Sequence, residues 1–169
     1  MNSKKIRLVT LSALFAALTC VATMLIRIPT PTKGYVNLGD CLVNVSAWVL
    51  GPYYGAAASG IGSALADLFA GYAVYAAATL IIKSGMAVAS YGVFKFISGK
   101  KHGLLGRISG AIAAEIVMIS GYFVFEALLY GSAATAALGI VGNVAQGVMG
   151  IVSSVVIYEA VIKKIPKSI

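Results

Sequence analysis

Charged residues are scarce in this chain, and acidic ones are scarcest. Only 11% of its 169 residues are charged, just five are Asp or Glu, and 60% are hydrophobic. A soluble domain keeps a large polar exterior, so this composition excludes an ordinary water-soluble fold. With a mean hydropathy of +0.94, the chain is expected to form a single membrane domain over residues 1–169.

Residues suited to catalysis or metal binding are also few. The chain has one histidine and two cysteines, and Cys20 and Cys41 lack the spacing of metal ligands. The sequence contains no Gly-x-Ser-x-Gly, His-Glu-x-x-His or phosphate-binding Gly-x-x-x-x-Gly-Lys motif. These absences argue against an enzyme and predict neither a metal site nor a cofactor. Any ATP-driven work would have to come from partner subunits.

Long apolar runs are present instead, without the alternation that transmembrane β-strands require. Backbone amides in lipid must pair internally, so these runs predict an all-α bundle. Two short runs, separated by Gly51-Pro52, could instead form one kinked helix, which would give five spans rather than six. We predict six spans, with approximate limits 6–28, 38–50, 53–69, 72–97, 105–130 and 135–162.

The net charge of +8 comes from basic clusters that flank the apolar runs. Such clusters are typical of cytoplasmic loops, and only six spans place all of them on one side with both termini inside. We therefore predict a multi-pass plasma-membrane protein in the bilayer, with no nucleic-acid partner. The flanking residues are Lys4, Lys5, Arg7, Lys95, Lys100, Lys101, Arg107, Lys163, Lys164 and Lys167.

Polar side chains inside the spans are the candidate ligand contacts, because burying them in lipid is costly unless they pair or serve a function. Most fall in the predicted outer half, which suits a small polar ligand that enters from outside. We favour Glu126 and Asn143 most. The predicted substrate-binding residues are Tyr35, Asn37, Asp40, Asn44, Thr79, Lys83, Tyr122, Glu126, Asn143 and Gln146.

Simpler structural roles compete with ligand binding for several of these residues. Lys83 could pair with Glu115 or Asp67 inside the bundle. Asp40 could cap the helix that it begins, and Asp67 could hold the turn after the third span. The tyrosines near span ends also fit an interfacial belt.

Small residues recur at helical spacing on spans one and three, which lets helices approach closely. On span three, internal packing is the more typical role. On span one, an internal neighbour and an external partner are equally good readings. The two faces consist of Ser12, Ala13, Ala16 and Ala17, and of Gly55, Ser59, Gly62, Ser63 and Ala66.

Three stretches resemble the substrate-binding S components of energy-coupling factor (ECF) vitamin transporters. They are PTPTKGYVNLGD at 29–40, LGPYYG at 50–55 and GIGSALAD at 60–67. The length, span number and orientation are similar along the whole chain. The NLGD stretch is most similar to members assigned to pyridoxine or hydroxymethylpyrimidine uptake, with riboflavin-type members as the alternative.

The resemblance implies a capture subunit of a bacterial importer that binds a small vitamin from outside. The segment 30–38 would act as a lid, and delivery would require a membrane coupling subunit and two cytoplasmic ATPases. The family's Ala-x-x-x-Ala partner interface maps onto Ala13 and Ala17. The alternatives are a solitary gradient-driven secondary transporter and an accessory membrane protein that transports nothing.

Overall fold

The computed structural model describes residues 3–29, 35–98 and 103–164, and within them it is an all-helical bundle. Consecutive helices pack against each other along the chain. The helices are α1 (Ser3–Leu25), α2 (Gly39–Phe69), α3 (Ala73–Ser98), α4 (Gly103–Tyr130) and α5 (Ala133–Ala160), followed by a 3₁₀ turn, Ile162–Lys164.

Four described segments are long and apolar enough to cross a membrane: α1, α3, α4 and Ala133–Lys164. They contain 23 to 32 residues, or about 35–48 Å of helix, which exceeds a hydrocarbon core of about 30 Å. Many of their apolar side chains, such as Leu14 and Val141, point outward and are exposed. Lipid is the environment in which such a surface is stable.

Helix α2 reverses direction at Gly51. This residue has φ +81°, a left-handed conformation that favours glycine, and Pro52 follows it. The Ser46 and Ser59 hydroxyl oxygens lie 2.9 Å apart although 13 residues separate them, whereas a straight helix would hold them about 20 Å apart. Residues 39–50 and 52–69 therefore form a helical hairpin. The predicted break at Gly51-Pro52 is confirmed, while the count of six membrane spans stays a prediction.

The reversals give the bundle two distinct ends. At the first, which we call the pocket end, α1 ends, both ends of the α2 hairpin lie side by side, and α5 begins. Strand β1 (Ile28–Pro29) pairs there with β2 (Tyr35–Val36) in an antiparallel ribbon. Residues 30–34 of the predicted lid lie outside the described residues.

At the opposite end, which we call the basic end, α1 begins, α3 ends and α4 begins. Arg107 pairs there with Glu159, and the aromatic rings of Tyr158 and Phe94 lie 4.3 and 5.8 Å from its guanidinium. Of the predicted cytoplasmic residues, Lys100, Lys101 and Lys167 lie outside the described residues. Those described at this end are Lys4, Lys5, Arg7, Lys95, Arg107, Lys163 and Lys164.

Apolar and aromatic side chains fill the interior of the bundle next to the basic end. The Trp48 ring meets Tyr158 edge-on at 5.6 Å and approaches Phe94 at 6.4 Å. Met86 and Met118 are fully buried in the same hydrophobic core. The described residues between the pocket and the basic end therefore form a mainly apolar and aromatic core, with a few buried hydroxyls such as those of Ser46 and Ser59.

The small-residue face of α1 is divided between two environments. A Cβ atom on Gly62 would lie 2.3 Å from the carbonyl oxygen of Ala16, so α1 and the second half of α2 are in close backbone contact. Ala13 and Ala17 are exposed on a different side of α1. Ala16 thus packs internally, and the Ala13/Ala17 face remains available to lipid or to a partner.

Candidate functional site

A polar pocket lies at the pocket end, between β2 and helices α2 to α5. Its volume is about 30 Å³, which is room for two or three waters because each needs about 10–15 Å³. A heterocyclic ligand would therefore require the walls to move apart. The lining residues are Tyr35, Asn37, Asp67, Tyr75, Thr79, Tyr122, Glu126, Asn143 and Gln146.

Seven of these nine residues are among the predicted substrate contacts, and the fold brings them together from five segments. Asp67 and Tyr75 also line the pocket but were not predicted to bind ligand. A signal for Tyr75 exists in the sequence, since it lies one helical turn before Thr79. For Asp67 the sequence predicts a role in holding the turn after the third span. Its backbone oxygen accepts from the Tyr72 amide at 2.8 Å in that turn.

Tyr35 joins the β-ribbon to the end of α2. Its hydroxyl donates to Asp67 Oδ1 at 2.6 Å, and its ring lies 4.7 Å from that of Tyr72. Burial, together with the acceptor Asp67, raises the pKa of Tyr35 above its ordinary value, so the phenol remains a neutral donor. This contact forms one wall of the pocket and fixes the β-ribbon over it.

Helices α3 and α4 supply the opposite wall through paired hydroxyls and a carboxylate. Tyr75 donates to Glu126 Oε1 at 3.3 Å, and the hydroxyl oxygens of Tyr75 and Tyr130 lie 3.2 Å apart. One turn deeper, the Thr79 and Tyr122 hydroxyl oxygens lie 3.0 Å apart. These side chains recur every three or four residues, so each helix presents one polar stripe to the pocket.

Gln146 forms the floor and ties α5 to the chain before α2. Its side-chain carbonyl accepts from the Asn37 backbone amide at 2.8 Å, and its amide donates to Asp40 Oδ2 at 2.6 Å. The Asn37 side chain accepts from the Gly39 amide at 2.8 Å. Asn37 therefore holds the backbone amide at the start of α2 while it lines the pocket.

A buried ion pair lies beneath this floor. Lys83 bonds to Asp40 Oδ1, and the two side chains are only 2% and 1% exposed. Lys83 thus pairs with Asp40 rather than with Glu115 or Asp67, the partners considered from the sequence. Asp40 does not cap α2, whose N-cap is Leu38 without a side-chain bond. Both charges are compensated inside the bundle, as burial in lipid demands.

Asn44 extends the buried polar network towards α4. Its amide donates to Glu115 Oε1 at 3.3 Å, and its carbonyl accepts from the Ser90 hydroxyl at 2.8 Å. The absence of a side chain at Gly150 leaves room for Glu115, because a Cβ there would lie 2.7 Å from Glu115 Oε1. Asp40, Asn44 and Lys83 therefore underlie the pocket without lining it.

Comparison with known families matches this chain over nearly its whole length. The family model described as the ECF-type riboflavin transporter, S component, matches residues 3–164. This chain belongs to that family of ECF S components. The family is a class of transporter component, not of enzymes, and it works in membranes with coupling and ATPase subunits in general.

Similar proteins agree with this assignment. An uncharacterized protein in the gap 3′ region of Pyrococcus woesei is 40% identical over 69% of this chain and 76% of its own length. The thiamine precursor transporter HmpT of Lactococcus lactis is 28% identical over 81% of this chain and 77% of its own length.

A solved S component of a bacterial ECF transporter has the same fold, with a TM-score of 0.71. It is 19% identical, and the match covers 94% of this chain and 97% of that one. At this identity the likeness concerns the fold alone. Within that fold, the polar pocket occupies the end of the bundle opposite the basic clusters.

Proposed function

We propose that this S component is the high-affinity capture subunit of an ATP-driven vitamin importer. In this proposal it binds a small heterocyclic vitamin or precursor from outside the cell. It then delivers that ligand together with a membrane coupling subunit and two cytoplasmic ATPases. The observation that carries the proposal is a polar pocket of nine residues at one end of an apolar bundle.

The closed core beneath the pocket supports capture rather than conduction by this chain alone. A secondary transporter or channel needs polar groups along a continuous path. Among the described residues, the hydrogen-bond network beneath the pocket reaches Glu115, Asn44 and Ser90, and the fully buried Met86 and Met118 belong to the apolar core. Release to the cytoplasm would therefore need a movement of the whole subunit, driven by partners.

The proposed topology has six spans with both termini in the cytoplasm. Counting the α2 hairpin as two spans gives an even number, and the basic end then faces inward, in accord with the positive-inside rule. The pocket end consequently faces outward, where a capture subunit would meet its ligand. A plasma-membrane location and a bacterial host belong to the same proposal.

For the substrate, we favour hydroxymethylpyrimidine or pyridoxine over riboflavin. The likeness to the thiamine precursor transporter HmpT covers 81% of this chain and supports a small aromatic heterocycle. The limited volume of about 30 Å³ also favours a ligand that needs less wall movement than a flavin. Riboflavin stays the alternative because the matching family model carries that name.

Ligand identification tests the capture role directly. The full chain, purified in detergent from cells grown in rich medium, should release a small heterocycle that mass spectrometry of the extract can identify. Calorimetry with that compound should then give saturable binding with one site. Failure of riboflavin, pyridoxine and hydroxymethylpyrimidine to bind, with no compound extracted, would overturn the proposal.

Coupling to partners can be tested at the exposed face of α1. Ala13→Leu with Ala17→Leu should abolish coupled uptake in cells while ligand affinity stays near normal, since bulky groups would block only the helix face. Ala73→Leu with Ala77→Leu is a matched control, because these exposed alanines have the same spacing on α3. Normal uptake by the α1 variant, or a large loss of its affinity, would contradict the interface.

A further inference from the structure

The acidic residues of this chain are distributed in a way that the capture role does not explain. The sequence contains 13 basic and only five acidic residues. Asp67 and Glu126 line the pocket, and Asp40 and Glu115 lie directly beneath it. Four of the five acids thus surround one small site in an otherwise basic protein.

The buried lysine next to this site already has a partner. Lys83 is bonded to Asp40 beneath the floor, and none of the described residues that line the pocket is Lys or Arg. The described lining therefore contains two acidic residues, Asp67 and Glu126, and no basic one.

Asp67 supplies a specific acceptor for that ligand. Its side chain is 4% exposed, and Oδ1 is held by the Tyr35 hydroxyl. The second oxygen, Oδ2, is buried without a hydrogen-bond partner among the described residues. A buried carboxylate oxygen without a donor is unfavourable, so the pocket wall contains an acceptor that a ligand N–H would satisfy.

Aromatic rings beside the carboxylates favour a flat ligand. Tyr35, Tyr75 and Tyr122 all contribute to the lining. Aromatic side chains are common in the lining of pockets that bind small ligands. Acceptors and rings on the same walls match a planar heterocycle that carries donors along its edge.

We propose that the pocket recognises a planar nitrogen heterocycle with a positive charge or adjacent N–H donors, and that Asp67 is its specificity-determining acceptor. This inference rests on the proposed capture role and narrows its substrate class. An aminopyrimidine fits, because its ring nitrogen, once protonated, and its exocyclic amine form adjacent donors to one carboxylate. The 4-oxo counterpart keeps one ring N–H but has a carbonyl acceptor in place of the amine, so it offers Asp67 one donor beside an acceptor.

Calorimetry on the full chain in detergent tests this with two probes that differ at one group. The probes are 4-amino-5-hydroxymethyl-2-methylpyrimidine and its 4-oxo counterpart, with riboflavin measured alongside. The amino compound should bind at least tenfold more tightly than the oxo compound. Asp67→Asn, which keeps the shape but exchanges an acceptor for a donor, should bring the two affinities within about threefold. Glu159→Gln, at the basic end, should leave the ratio unchanged.

The outcomes separate this inference from the capture role. Tight binding of riboflavin or the oxo compound, with weaker binding of the amino compound, would overturn the inference and leave capture standing. An unchanged ratio in Asp67→Asn would remove Asp67 as the specificity residue. Binding of no vitamin at all would overturn capture itself. If Asp67→Asn does not fold, the wild-type ratio decides, and a ratio below tenfold overturns the proposal.

Discussion

The two ends of the bundle hold their charges in opposite ways. At the pocket end, Lys83 and Asp40 pair at 2% and 1% side-chain exposure. At the basic end, Arg107 pairs with Glu159, whose side chain is 26% exposed and also bonds Lys163 at 2.8 Å. The first pair is isolated from water, whereas in the second pair Glu159 is accessible to solvent, although the Arg107 side chain is only 8% exposed.

This difference indicates what each end is built to do. Buried charges in lipid are tolerated only with partners, so the pocket end must keep a fixed geometry to remain stable. In the proposed topology the basic end orients the protein, a role that needs charge but little geometry. Mutations should therefore have large, geometry-dependent effects at the pocket end and small effects at the basic end.

Removing the buried cation should have the largest effect. Lys83→Met leaves Asp40 unpaired, and we expect a loss of about 3–5 kcal/mol of stability because an uncompensated charge remains buried. Thermal unfolding in detergent would measure it. Adding Asp40→Asn should restore much of the loss, and a single variant as stable as wild type would contradict the contrast between the ends.

Filling the space beside the buried polar network at Gly150 should lower stability less than removing Lys83. A Cβ on Gly150 would meet Glu115 Oε1 at 2.7 Å and Asp40 Cβ at 2.9 Å, so we expect Gly150→Ala to destabilise by about 1–3 kcal/mol. The control is Gly92→Ala towards the basic end, where a Cβ meets nothing within 4 Å. That variant should be neutral or more stable by up to about 1 kcal/mol. Equal effects at both glycines would remove the distinction.

Pocket side chains should affect affinity rather than folding. Glu126→Ala or Asn143→Ala should weaken ligand binding at least tenfold, about 1.4 kcal/mol, because each removes a polar group from the lining. Calorimetry with the extracted ligand is the measurement. If both variants bind with wild-type affinity, neither residue contacts the ligand.

The smallest effect is expected at the basic end. Glu159→Gln removes the shared partner of Arg107 and Lys163, yet its stability should change by no more than about 1 kcal/mol because the group is partly exposed. Unfolding temperatures of this variant and of Lys83→Met, compared side by side, would sharpen the contrast. A loss as large as that of Lys83→Met would show that the basic end is equally dependent on geometry.

Much of the fold could be predicted from the apolar runs, because long helices in lipid follow from backbone hydrogen bonding alone. The break at Gly51-Pro52 was also readable, since a glycine before a proline ends a helix. The pocket lining could also be predicted in part, because polar residues in apolar spans are rare. The partner of each polar residue could not be predicted. Lys83 pairs with Asp40, 43 residues away, and not with Glu115 or Asp67.

The sequence by itself determined the membrane environment, the helical segments, the asymmetry of basic charge and the set of polar residues from which the pocket is made. These depend on composition and local order along the chain. Only the tertiary structure decided that Asp67 faces the pocket, that Asp40 lies beneath it, and that Ala16 packs inward while Ala13 does not. Those outcomes depend on how helices rotate and pack together, and spacing within one helix cannot specify which neighbour each face meets.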